Sequence, residues 1–411
     1  MSQSETSSQC GTTRWIIIAL VLTAIVMFPL IGRLLAGRSL QPYFEFPPIT
    51  HSVTHEPFSW PVFIALTVLI VCAVAPFVAR ISSFVFLRRL SLGQSSVPDR
   101  APSLLTPHPL RPFPWWGWLG VFWSLVAWFL AWTRFEWMRP FQAVTFTPLW
   151  LGYIVVVNAL MFRRTGRCMM LHRPRYFLSL FPLSAAFWWS FEYLNRFVQN
   201  WYYLGGQELT AWEYVWQATL PFSTVLPAVL GTAELLTAYP RIMAGLDQFV
   251  TVDFRHRTRW GWGLLCGAAG GLLGIGLWPD YLFPLVWVAP LLLITAIQLI
   301  RGEPTILDGT ARGDWRSVWA AALAALICGF FWELWNVYSL AHWEYVVPFV
   351  QRFELFHMPL LGYAGYLPFG LECLAVADLC LARKFSGGVA YYRVLGTGTD
   401  LAQRKPTVAE R

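Results

Sequence analysis

The sequence reads WWSFEYLN at positions 188–195 and FWELWN at positions 331–336. Both stretches place Glu-x-x-Asn at the end of an apolar run, and Trp-x-Tyr follows each of them, at 201–203 and at 343–345. A carboxyl group at the centre of a bilayer costs about 2.5–3.5 kcal/mol on insertion scales. A costly feature that occurs twice indicates a function or a specific structural need.

The composition is typical of a membrane protein. The 411 residues are 56% hydrophobic and 13% charged, with a mean hydropathy of +0.50, whereas soluble domains carry about 25% charged residues. Apolar windows of about 20 residues, each long enough to span a bilayer, recur along the chain. We therefore predict an all-α, polytopic transmembrane helical bundle. Its ten predicted spans are 15–35, 60–80, 115–133, 145–163, 176–197, 217–239, 261–277, 281–300, 316–338 and 360–382.

The basic residues predict the orientation. With the N-terminus inside, 24 of the 30 Lys and Arg fall in the cytoplasmic segments and six in the outer loops, as the positive-inside rule requires. We expect a bacterial inner-membrane protein with both termini in the cytoplasm. The first apolar run, residues 15–31, is longer than a signal-peptide core and no A-x-A site follows it, so we expect a retained span.

Several classes of partner and cofactor are not expected. The net charge of +8 is spread over short loops, and no nucleic-acid-binding motif is present. No Cys/His spacing matches a zinc site. We predict no metal, no cofactor and no nucleic acid, and we expect membrane lipids and a hydrophobic small molecule as partners.

The chain shows an internal repeat beyond the opening motifs. Counterparts lie 137 to 142 residues apart: Trp150 with Trp287, Glu192 with Glu333, Trp201 with Trp343, and Glu234 with Glu372. These offsets correspond to four spans, an even number, so the two copies share one orientation. We predict a two-span region (1–90), a Ser/Pro-rich cytoplasmic linker (91–114), two four-span units (115–240 and 241–385) and a flexible cytoplasmic tail (386–411).

The candidate functional residues follow from this repeat. Four acids inside predicted spans are candidate catalytic groups: Glu192 and Glu333 near the outer ends, and Glu234 and Glu372 deeper. A neutral carboxylic acid both donates and accepts hydrogen bonds, and aromatic faces stabilise a developing cation. Arg196, one turn from Glu192, is its nearest potential ion partner. The candidate substrate-binding residues are Asn195, Asn336, Trp201, Tyr203, Trp343, Tyr345 and His357. The structural alternative is that acids and amides hold helices together and that the aromatic residues form an interfacial belt.

The Trp-x-Tyr stretches and the Pro-containing helices that follow them, with Glu234 and with Glu372, resemble the lycopene-cyclase domain of bacterial and fungal carotenoid cyclases. The Pro-x-Glu-Glu pattern of that family is replaced here by Pro368-Phe369-Gly370-Leu371-Glu372. The phrases around Trp150 and Met358 also look like those of uncharacterised bacterial membrane proteins. The resemblance implies acid-type chemistry on an isoprenoid.

Three functions remain open at this point. The first is a periplasmic-side cavity, lined by aromatic, Glu and Asn side chains, that binds or acts on a hydrophobic lipid or isoprenoid. The second is a proton-coupled transporter or channel that uses the same acids. The third is a structural or assembly subunit without chemistry.

Overall fold

The computed structural model describes residues 3–48, 52–94, 110–205 and 209–381, and its 13 α-helices within these ranges make it 72% helical. The helices of the first half are α1 (Gln3–Leu35), α2 (Trp60–Gln94), α3 (Trp115–Trp132), α4 (Phe146–Thr165), α5 (Met169–His172), α6 (Pro174–Val198), α7 (Ala211–Phe222) and α8 (Val225–Thr237). Those of the second half are α9 (Arg257–Leu277), α10 (Pro279–Leu282), α11 (Ala289–Ile300), α12 (Arg316–Asn336) and α13 (Tyr366–Leu381). The predicted linker lies largely, and the predicted tail wholly, outside the described residues.

The helical content follows from the apolar windows, because a chain in lipid must satisfy its backbone hydrogen bonds internally. Among the described residues, eight helices are long and apolar enough to cross a membrane, with α7 and α8 counted together as one. A further pair, Pro279–Trp287 (α10 with the 3-10 helix after it) and α11, is bent by 55°. The prediction of a helical protein with many apolar spans is confirmed. The count of ten stays a prediction, since α6, with Arg175, Glu192 and Arg196, is not among the eight.

Two helix breaks shape the interior. The first separates α7 from α8 at Ser223 and Thr224, with Pro221 and Pro227 on either side. The second break precedes α11, which begins with Ala289 and Pro290. Proline lacks the N–H that would continue the helical ladder. Both breaks therefore leave backbone and side chains free to line a cavity.

Helix α8 lies at the centre of the bundle. It packs against α4, α6, α12 and α13, and all of its residues from Val225 to Glu234 are buried. Helices α12 and α13 approach closely, because the buried alanines Ala321 and Ala325 of α12 face Gly370 of α13. Small residues permit such contacts between membrane helices. Helix α2 is peripheral, with no buried residue in its most apolar window.

Two short strands connect the halves outside the helices. Strand β1 (Trp201–Leu204) follows α6, and β2 (His342–Tyr345) follows α12. They pair antiparallel and form a two-stranded ribbon. A second small pair, β3 (Glu354–Leu355) and β4 (Met358–Pro359), precedes the 3-10 helix Leu360–Gly365 that leads into α13. The ribbon joins the two Trp-x-Tyr motifs of the sequence directly.

Candidate functional site

Four aromatic side chains lie on the same face of the ribbon. Trp201 lies opposite Tyr345, and Tyr203 lies opposite Trp343. Side chains alternate between the two faces of a strand, so these four share a face, whereas Tyr202 and Glu344 lie on the other. The Trp-x-Tyr spacing at period two is what places each motif on one face.

Asn195 and Asn336 fix the strands to the helices that precede them. The Asn195 side-chain amide donates to the Trp201 carbonyl at 2.7 Å and its Oδ1 accepts from the Asn200 N–H at 2.9 Å. The Asn336 amide likewise donates to the Trp343 carbonyl at 2.6 Å and accepts from the Trp343 N–H at 2.8 Å. Both amides, predicted to bind substrate or orient the acids, thus bond to backbone, and neither lines the cavity beside the ribbon.

A cavity of about 500 Å³ lies against the aromatic face of the ribbon. This volume falls within the usual range of small-molecule sites, about 300–1,000 Å³. Its wall is mostly aromatic, with tryptophans from both halves of the chain. The aromatic lining residues in the described ranges are Phe146, Trp188, Trp201, Tyr203, Tyr214, Phe222, Trp287, Trp332, Trp343, Tyr345 and Tyr366.

Glu192 lies one layer behind this wall. Its Oε1 accepts hydrogen bonds from Trp188 Nε1 at 2.9 Å, Trp201 Nε1 at 3.2 Å and the Tyr203 hydroxyl at 2.5 Å. All three donors line the cavity. The carboxyl itself is buried, and it is connected to the cavity by the three side chains that donate to it.

Glu333 has a similar place in the second half. Its Oε1 accepts from the Tyr345 hydroxyl and from the Tyr366 hydroxyl, each at 2.7 Å, and Trp343 Nε1 donates to the Tyr345 hydroxyl at 2.8 Å. Its Oε2 is buried without a hydrogen-bond partner among the described residues. Burial, and next the neighbouring carboxyl of Glu333, raise the pKa of Tyr345 well above its ordinary value. This phenol therefore stays neutral at physiological pH.

Neither carboxyl has a basic partner. In the part of the chain that the structure describes, no Lys, Arg or His lies within ion-pair distance of Glu192 or Glu333. Arg196 does not pair with Glu192; its guanidinium donates to the carbonyls of Tyr43 at 3.2 Å and Glu45 at 2.8 Å. The hydrogen bonds that these two acids accept from described side chains all come from neutral donors.

Glu234 and Glu372 lie away from the cavity wall. Glu234 Oε2 accepts from the Met169 N–H, at the start of α5, at 3.1 Å. Glu372 Oε1 accepts from the Leu291 N–H, near the start of α11, at 3.2 Å. The first N–H groups of a helix lack partners within it. Both acids, which the sequence suggested as catalytic, therefore occupy helix-capping positions.

Of the two histidines in the loop between α12 and α13, one lines the cavity and the other lies behind it. His342 lines the cavity and stacks on His357, with ring centroids 5.8 Å apart and planes at 28°. His357, the histidine singled out by its place before the last span, lies beside the Val337 carbonyl at 3.3 Å and not in the wall. Of these two histidines, only His342 therefore lines the cavity.

Sequence reasoning missed several lining residues. Trp188 precedes Glu192 by one helical turn, so its spacing was an available signal. Trp287, Trp332 and Tyr366 come from three different elements, and only tertiary packing reveals that they meet.

No group of three or more His, Cys, Asp or Glu that could hold a metal occurs among the described residues. Comparison with protein-family models, curated proteins and solved structures finds no match to this chain.

Proposed function

We propose that this chain is a multi-pass membrane protein whose aromatic cavity binds, or acts on, a hydrophobic lipid or isoprenoid through acid-type chemistry. One observation carries the proposal: each outer acid contacts the cavity through a phenol, Tyr203 for Glu192 and Tyr345 for Glu333. A phenol between a carboxyl and an apolar cavity is a suitable path for a proton.

The proposed chemistry assigns different roles to the two acids. Indole N–H groups can only donate, so Glu192 Oε1 is an acceptor toward Trp188 and Trp201. Phenols can donate or accept, so the two tyrosines around Glu333 accommodate a protonated carboxyl there. We propose Glu333 as the acid and Glu192 as the electrostatic stabiliser.

The proposed step is protonation of a carbon–carbon double bond. The hydrogen bond between the two residues reverses for this step: protonated Glu333 donates its proton to the Tyr345 oxygen while Tyr345 gives its own proton to one alkene carbon, and Glu333 becomes a carboxylate. A carbon–hydrogen bond forms, the π bond is lost, and the adjacent carbon becomes a cation. Tryptophan faces stabilise that cation, and loss of a proton from a neighbouring carbon back to Glu333 through Tyr345 forms the new double bond. No oxidant or reductant is needed.

The same proposal includes the internal duplication. Reciprocal contacts support it: Trp150 packs on Trp332 with centroids 5.0 Å apart, and Trp287 packs on Phe191 at 5.2 Å. Trp150 and Trp287 are counterparts in the sequence repeat, and so are Phe191 and Trp332. Each proposed unit thus places its tryptophan on the acid-bearing helix of the other, as expected for a pseudo-two-fold pair.

A route from the bilayer fits the two faces of α7. Trp212, Trp216 and Leu220, spaced by four residues, are 67%, 50% and 44% exposed. Tyr214 and Ala218 of the same helix line the cavity. An apolar ligand moving from lipid past α7 would meet the cavity wall directly. The bias of basic residues supports the bacterial inner membrane, with the cavity in the periplasmic half and both termini in the cytoplasm.

The alternatives have less support. A proton-coupled transporter needs a polar path between the outer and inner acids, yet the buried α8 residues from Val225 to Ala233 are apolar apart from Thr232. A purely structural subunit does not require a cavity of this size. The cavity and its acid-backed phenols therefore favour binding or chemistry on an apolar molecule.

The test compares lipid extracts by mass spectrometry from cells that carry the native protein, Glu333→Gln or Tyr345→Phe, at matched protein levels. We expect both variants to accumulate an apolar precursor and to lose its product. Glu354→Gln, at an exposed strand position, is the control and should match the native extract. Identical extracts from all four strains would contradict the enzymatic proposal.

A further inference from the structure

The cavity wall is rich in π faces and poor in positive charge. Five tryptophans line it: Trp188, Trp201, Trp287, Trp332 and Trp343. None of the described lining residues is Lys, Arg, Asp or Glu, and His342 is the sole histidine among them. The face of an indole attracts cations more strongly than that of any other side chain. Such a wall suits a positively charged apolar group.

Two of these tryptophans connect the wall to a carboxyl. Trp188 and Trp201 both line the cavity and both donate their ring N–H to Glu192 Oε1. Hydrogen bonds in a low-dielectric interior polarise their partners. Donation to a carboxyl therefore enriches the indole faces in electron density, which strengthens their attraction for a cation.

Glu192 forms no ion pair among the described residues, and Arg196, one helical turn away, acts on it only through longer-range Coulombic attraction. Three donors converge on its Oε1 and offset part of the cost that burial imposes on a charged carboxyl, and no basic side chain of the described residues lies within ion-pair distance. Buried charges are normally paired. A ligand that brings a positive charge to the wall would supply the missing partner.

The wall also contains a polar group without a hydrogen-bond partner among the described residues. The Tyr214 hydroxyl of α7 is buried without a hydrogen-bond partner among the described residues, and Tyr214 lines the cavity. Its oxygen can accept a hydrogen bond. An ammonium N–H, or a methyl C–H polarised by a quaternary nitrogen, would interact favourably with this oxygen, whereas a hydrocarbon would leave it unpaired.

We infer that the ligand of this cavity is a lipophilic cation, an amine or quaternary ammonium group on an apolar body, bound between the tryptophan faces with Glu192 as its counter-charge. This inference rests on the proposed function and specifies its substrate class. The same recognition would serve the ammonium headgroup of a lipid or a free amphiphilic cation.

The experiment measures binding of radiolabelled decyltrimethylammonium to the full chain in phosphatidylglycerol nanodiscs, with empty nanodiscs subtracted. The competitor is its neutral isostere, which carries tert-butyl in place of trimethylammonium. We expect the neutral compound to compete at least tenfold more weakly than the unlabelled cation. Glu192→Gln and Trp201→Leu should each weaken cation binding at least tenfold, while Trp262→Leu, at an exposed position of α9, should leave it unchanged.

A second arm identifies the source of the cation. Nanodiscs that contain phosphatidylcholine should lower the apparent affinity for the added cation if a lipid headgroup occupies the cavity, and should leave it unchanged if the ligand is a free cation. Equal competition by the neutral isostere would overturn the cationic class and leave the proposed apolar site intact. Absence of saturable binding by either compound would overturn both.

Discussion

Tyr202 and Glu344 lie directly opposite each other in the ribbon, and the Tyr202 hydroxyl donates to Glu344 Oε2 at 2.5 Å, although the two residues are 142 positions apart. Trp201 and Trp343 have the same separation in the sequence. Tyr202 therefore pairs with its own counterpart in the proposed repeat. The proposed duplication accounts for this register, since a pseudo-two-fold axis that passes between two residues pairs each of them with its counterpart.

This register predicts a cross-link. Tyr202→Cys with Glu344→Cys should form a disulfide, or react with a short bis-maleimide, because directly opposed residues have Cα atoms about 5.5 Å apart in a hydrogen-bonded antiparallel pair. Both side chains lie on the ribbon face away from the cavity, so binding should be retained. Peptide mass spectrometry of the digested protein detects the linked pair.

The control for this cross-link uses a thiol at the opposite end of the bundle. Glu344→Cys with Trp262→Cys should remain unlinked, since Trp262 lies in the first turns of α9. A linked product in the control at the same yield would show that the reaction does not report the ribbon. No linked product in the first pair would contradict the register.

The two asparagines predict a matched pair of stability losses. Asn336→Ala removes the bonds to the Trp343 carbonyl and N–H, and Asn195→Ala removes those to Trp201 and Asn200. Unsatisfied buried groups cost about 1–3 kcal/mol. Each variant should lower the thermal unfolding midpoint in detergent by a few degrees, whereas Glu354→Ala should not. A midpoint unchanged in both asparagine variants would show that the strands are held elsewhere.

Glu372 gives a prediction that separates a structural acid from a catalytic one. Its Oε1 accepts the Leu291 N–H, and its Oε2 has no hydrogen-bond partner among the described residues. Glu372→Gln retains the acceptor and should retain both stability and activity. Glu372→Leu leaves the Leu291 N–H unpaired and should cost about 1–3 kcal/mol. Loss of activity in a fully folded Glu372→Gln would instead assign this acid to the chemistry.

Much of this arrangement could be predicted because its signals are local. Apolar windows predict membrane helices, and the Trp-x-Tyr period places Trp201 and Tyr203 on one strand face. The carboxyl of Glu192 and the ring of Trp188 meet because the two residues are one helical turn apart. These relationships depend on spacing along a single element, which the sequence records.

The remainder depends on packing between distant elements. Glu234 and Glu372 match the outer acids in type and burial, yet their partners are backbone amides of α5 and α11, which no spacing indicates. His342 and His357 stack on each other, and of the two only His342 lines the cavity wall. The sequence contains the candidate residues, and tertiary contacts decide which of them line the cavity.

The charge bias predicts which ends of the helices face outward. Glu354→Cys, between the last two predicted spans, should react with an impermeant thiol reagent in intact spheroplasts. Thr251→Cys, in the connection between α8 and α9, should react only after lysis. Both positions are exposed, so accessibility to the aqueous phase decides the result. The reverse pattern would invert the topology and place the cavity in the cytoplasmic half.

Because α7 has one face on the cavity and one exposed face, a tryptophan added on the first face should block the cavity, and a tryptophan added on the second should not. Ala218 lines the cavity, and Leu220, two residues later, is exposed on the face of Trp212 and Trp216. Ala218→Trp places an indole in the ligand volume, so it should reduce binding of apolar probes at least tenfold. Leu220→Trp adds a similar ring on the lipid side, where exposed aromatic residues are tolerated, and should bind normally. Thermal unfolding of both variants checks that they are folded. Normal binding in a folded Ala218→Trp would mean that the ligand occupies a different part of the molecule.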